Sequence, residues 1–131
     1  KGPKIASTDK LEVTNFGFYR TGEGGAPMAT AVYRNGQSLF ARWDMTGYKY
    51  GEGNKVNLSW TVAILMGQAT VHTIPAAADQ SDGAFYAKPY VDGDLEVPLN
   101  KVPAGAYTLL ITVKDLAGKQ TIESRHNFTV Q

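Results

Sequence analysis

Cysteine is missing from this 131-residue chain, which removes disulfides, thiolate nucleophiles and cysteine-ligated zinc or iron–sulfur sites together. Histidine is nearly missing as well. His72 and His126 stand alone in the sequence, with neither H-x-x-x-H nor H-E-x-x-H spacing around them, so a zinc centre is not expected. Long hydrophobic runs are also lacking: the longest purely apolar stretch, Val62 to Met66, is far short of the roughly 18 residues that span a bilayer. Membrane insertion is therefore not expected. Neither sign of charge is in excess, since 13 Lys and Arg face 12 Asp and Glu for a net charge of +1, so nothing draws the chain to nucleic acid. Finally, no window of a dozen residues keeps an i, i+3, i+4, i+7 apolar pattern, which leaves no amphipathic helix.

What is present is alternation and turn chemistry. Glycine and proline gather in "TGEGGAP", "RNGQ", "YGEGNK", "SDGA", "VDGD", "VPAG" and "LAGK", between runs of period two. The runs predict seven to eight strands: Leu11 to Tyr19, Ala29 to Tyr33, Ser38 to Tyr48, Val56 to Met66, Thr70 to Thr73, Leu95 to Leu99, Tyr107 to Asp115 and Gln120 to Val130. The fold class expected is all-β, a two-sheet antiparallel sandwich over residues 11–131. Residues 1–10 read as a linker-like start; "KGPKIASTDK" has no apolar stretch before a small-residue cleavage site, so a signal peptide is expected to lie outside this sequence. A chain of this length can bury a core without a disulfide or a structural metal, and no cofactor is expected.

Parity assigns the inward side chains. Val56, Leu58, Trp60, Val62, Ile64 and Met66 share one strand face, with Trp60 as core anchor; Tyr107, Leu109, Ile111 and Val113 share another, as do Ile122, Phe128 and Val130. The segment from Thr73 to Tyr90 keeps no period and holds two prolines, so it reads as a long loop with one helical turn at Ala76 to Asp79, and as a place for a site.

The stretch from Leu99 to Asp115, "L-x-x-x-P-x-G-x-Y-x-L-x-I-x-V-x-D", resembles the penultimate strand of immunoglobulin-like and fibronectin type III-like modules in bacterial secreted proteins. Trp60 on an earlier strand and the closing "F-T-V" fit the same pattern. The resemblance implies an immunoglobulin-like sandwich, exported to the periplasm or the extracellular space. It also gives Tyr107 the role of a corner residue, whose ring fills the core while its hydroxyl bonds to nearby backbone. The paired core cysteines of antibody domains are absent.

Candidate chemistry is thin. Ser124 and His126 share a strand face at i, i+2, but that face also carries Ile122, Phe128 and Val130, and no G-x-S-x-G elbow occurs. No enzyme is expected. Asp79, Asp82, Asp92 and Asp94 offer the hard oxygen ligands that calcium prefers, yet Asp-Gly pairs are ordinary turn formers and the EF-hand spacing is absent. "NLS" at Asn57 and "NFT" at Asn127 match the glycosylation pattern inside strands, where a glycan would interfere with pairing.

The strand "SLFARWDMTGYKY" says more. With Leu39, Ala41, Trp43 and Met45 inward, the opposite face carries Phe40, Arg42, Asp44, Thr46, Tyr48 and Tyr50, aromatic rings interleaved with hydrogen-bonding groups. The reading is therefore a non-catalytic structural or protein-interaction module, alternatively a carbohydrate-binding module. Its binding face is expected to include Phe40, Arg42, Asp44, Tyr48 and Tyr50, helped by Tyr86 and Tyr90, and its partner is another protein domain or a glycan.

Overall fold

The structure is a computed structural model, and it describes residues 10–22, 25–50, 55–80 and 90–131, with side chains left aside for 75–80. Eight strands follow in chain order: β1 Glu12–Tyr19, β2 Val32–Tyr33, β3 Ser38–Thr46, β4 Asn57–Met66, β5 Ala69–Gln80, β6 Val91–Pro98, β7 Gly105–Asp115 and β8 Gln120–Val130. Among the described residues there is no helix. Two sheets form, one of three strands in the order β1-β3-β6 and one of five in the order β2-β8-β7-β4-β5. All neighbours pair antiparallel except β2, which lies parallel to the end of β8. This is an all-β two-sheet sandwich.

The sheets meet over a core set by parity. Leu39, Ala41, Trp43 and Met45 of β3 are buried while the residues between them are half-buried on the outer face. Leu58, Val62 and Ile64 of β4 and Tyr107, Leu109, Ile111 and Val113 of β7 face them from the larger sheet. Side chains of this kind each contribute about 1.5 to 3 kcal/mol when fully buried. An aromatic chain crosses between the sheets: the Phe18 and Phe128 rings lie 5.6 Å apart, and Phe128 stacks on Tyr107 at 5.5 Å. Tyr33 fastens the short β2 to the opposite sheet, its hydroxyl directed at the carbonyls of Tyr19 at 2.8 Å and Phe40 at 3.3 Å. Burial of that phenol raises its pKa above the usual 10.

Tyr107 sits as the corner motif implies. Its ring is buried, and its hydroxyl donates to the Pro103 carbonyl at 2.6 Å, closing the turn that launches β7.

Several expectations are corrected. The buried tryptophan is Trp43, 2% exposed, whereas Trp60 lies opposite Val113 and is only half-buried at the margin of the core. Gly93 faces Trp43 across the β3–β6 ladder, and a Cβ there would stand 2.6 Å from Cζ2 of the indole, so the glycine is what lets the large ring lie flat in the core. From Thr73 to Gln80 the chain is strand rather than loop, and Ala76 to Asp79 form no helical turn: β5 continues along β4, with Trp60 opposite Ala77 and Leu58 opposite Asp79. The two bulges in that pairing hide the period-two signal. Met66, expected inside, is 38% exposed.

Candidate functional site

The outer face of the three-stranded sheet is assembled from three rows. In β3, Phe40, Arg42 and Asp44 point outward. Across one ladder stand Glu96, Asp94 and Asp92 of β6, in register with Phe40, Arg42 and Asp44 respectively. Across the other, Tyr19 of β1 pairs with Phe40 and Gly17 with Arg42, beyond a bulge at which Asn15 takes a positive φ of 54°. The bulge carries the Asn15 side chain over β3, where its amide donates to Asp44 Oδ2 at 2.9 Å.

Arg42 is the centre of this face. Its guanidinium carbon lies 4.3 Å from the centroid of the Tyr19 ring, a cation–π contact made accessible because Gly17, its cross-strand partner, has no side chain. Its Nη2 is buried and has no hydrogen-bond partner among the described residues. A buried donor of this kind costs about 1 to 3 kcal/mol while unmet, more when charged. Two depressions flank it. One, of about 420 Å³, is lined by Gly22, Phe40, Arg42, Asp94 and Glu96; the other, of about 380 Å³, runs past Asn15, Tyr19, Asp44, Tyr90 and Asp92. Arg42 and Asp94 border both. Four carboxylates, those of Asp44, Asp92, Asp94 and Glu96, thus share the outer face with Arg42, Asp94 directly across the ladder from it.

The expected site residues separate here. Phe40, Arg42 and Asp44 lie on the face, and Tyr90 joins it at 48% exposure. Tyr48 does not: it is 6% exposed, inside the core. The reason is Gly47, whose φ of 80° ends β3 and resets the alternation; any side chain there would collide with the Lys10 carbonyl. Tyr50 is exposed and meets Tyr48 edge to face at 5.5 Å. Tyr86 and Asp82, and the side chain of Asp79, lie outside the described residues. Asp92 and Asp94 are exposed on β6, and among the described residues no three potential metal ligands converge. Asn15, Tyr19 and Glu96 belong to the same face but were not expected there. Their strand parity was readable, but nothing in sequence says which strands flank β3.

Ser124 and His126 do come together. Ser124 Oγ lies 2.6 Å from His126 Nε2, and the imidazole stacks on Phe16 of the facing sheet at 3.6 Å between centroids. Burial holds the histidine pKa below its usual 6.5, with no charged neighbour contributing. Packed on Phe16, the ring plugs the seam between β1 and β8 rather than opening onto either depression.

No protein-family model matches the chain, and no curated protein matches it at a significant level. Solved structures are similar in fold. One is the PmoD soluble domain from Methylocystis sp. (Rockwell), 14% identical over 92% of this chain and 90% of that one, with a TM-score of 0.46. Another is the CARDB domain of a Pyrococcus furiosus protein, solved in complex with di-metal ions, 9% identical over 95% of this chain and 91% of that one, with a TM-score of 0.51. At such identity the second likeness speaks for the fold alone, and together with the eight-strand topology it makes this chain an immunoglobulin-like β-sandwich.

Proposed function

We propose that this sandwich is a non-catalytic interaction module of an exported bacterial protein, and that another protein domain docks on the outer face of β1-β3-β6. The observation that carries the reading is Arg42 Nη2, a buried donor held over Tyr19 without an acceptor. A partner carbonyl or carboxylate would satisfy this donor once the guanidinium turns outward from the Tyr19 ring, while basic side chains on that partner meet Asp44, Asp92, Asp94 and Glu96. The resemblance of the Leu99–Asp115 segment to modules of secreted proteins supports export.

A glycan platform is the second reading, favoured by the exposed ring of Tyr90 beside Asn15 and Asp92. It is weaker, because Tyr48 is buried and the Tyr19 ring is covered by Arg42. Panels of basic, neutral and acidic peptides, run beside a glycan array, separate the two. The protein reading expects binding of basic peptides that weakens as salt rises and is abolished by Asp94→Lys or Arg42→Ala with the melting temperature kept. Salt-independent glycan binding that is lost in Tyr90→Ala would replace it with the sugar reading. No binding in either panel would remove this face from consideration.

A further inference from the structure

The two sheets differ in width, and the difference leaves a second concavity. In the larger sheet His72 and Ile74 of β5 pair with Ile64 and Val62 of β4, so they lie on the same inward face as those core residues. The smaller sheet has only β6 at this side. At this side Met66, Val71 and His72 stay exposed, and all three line the space between the sheets. Between β6 and β4–β5 runs a cleft of about 490 Å³ with Ile64, Val97, Leu99 and Phe128 among its lining residues. Small-molecule sites commonly span about 300 to 1,000 Å³ and are mostly apolar with a few placed polar groups.

Among the described residues the lining includes no carboxylate, and its one lysine is Lys101. Lys101 is held in place at the backbone. Its φ is 61°, its N–H donates to Asn35 Oδ1 at 2.8 Å, and the Asn35 amide in turn donates to the Val102 carbonyl at 3.0 Å. We infer that this cleft binds an anionic amphiphile, an aliphatic chain ending in a carboxylate, with the chain against Met66, Val71 and Val102 over a floor of buried Ile64, Leu99 and Phe128, and the head at Lys101. The apolar wall selects the chain, and the Lys101 ammonium, with no carboxylate in the described lining, selects the head.

Dodecanoate below its micellar concentration is the probe, followed by calorimetry and by methyl NMR of the whole chain. Saturable one-to-one binding that shifts the Ile64 and Val97 methyls is expected. Val71→Asp and Met66→Asp, both at exposed positions, should weaken it at least tenfold without lowering the melting temperature. Lys101→Glu should weaken dodecanoate about tenfold and leave dodecanol unaffected. Lys114→Glu, the same charge reversal at an exposed position of β7 outside the cleft, should leave dodecanoate binding unchanged. Absence of saturable binding would overturn the proposal. So would equal affinity for dodecanol and dodecanoate with Lys101→Glu silent, or methyl shifts confined to residues outside the cleft.

Discussion

At Tyr107 one hydroxyl ties a turn to the strand that follows it. The partner carbonyl belongs to Pro103, an exposed residue, so water can replace the lost bond on one side. Tyr107→Phe should accordingly cost about 1 kcal/mol, the ordinary net value of a hydrogen bond, rather than the larger penalty of a stranded buried group. An unchanged midpoint in urea would show the bond to be idle. His126 gives a pH dependence. Its pKa is lowered in the folded state, so between that value and 6.5 the unfolded chain binds more protons. Stability is therefore expected to fall as pH drops from 7 through 6.5, and to stop falling on this account once the folded pKa is passed. Denaturation at pH 7 and pH 5.5, compared with His126→Gln, measures the slope. An NMR titration midpoint at or above 6.5 for His126 would contradict it.

At the level of elements, the ladder between β3 and β6 depends on an unequal pair. Trp43 needs the space above Gly93, and an added methyl, whose position the backbone fixes, would overlap the indole. Gly93→Ala should destabilise by about 1 to 3 kcal/mol, the usual range for overpacking a core, with the urea m-value unchanged if only packing suffers. A neutral result would mean that the tryptophan moves freely. The same strand pair sets the outer face, since Arg42 opposite Asp94 and Asp44 opposite Asp92 follow from the register that Trp43 and Gly93 share.

For the whole molecule, the core spans both sheets and draws on β1 to β4 and β6 to β8, while among the described side chains of β5 Ile74 packs against it from the margin. Such a core is sufficient without a metal, so excess chelator should leave the melting temperature unchanged. A drop of several degrees would instead bring back the calcium reading of Asp79, Asp82, Asp92 and Asp94. The unequal widths of the sheets are also a whole-molecule property, and they decide why Met66, on an inward face, reaches solvent.

Alternation within a strand is local, which is why the sequence alone determined the all-β class, seven of the strands to within a few residues, the inward set of β3 and the corner role of Tyr107. Parity fails where the backbone departs from the pleat. Gly47 turned Tyr48 into the core, and bulges in the β4–β5 pairing concealed most of β5. Neighbourhood is not local at all. That Tyr19 would lie under Arg42, that Asp94 would stand opposite it, that Trp43 would displace Trp60 from the centre, and that one sheet would take three strands and the other five were decided only when the strands chose their partners, because strand order and sheet width are fixed by contacts between residues distant in the chain.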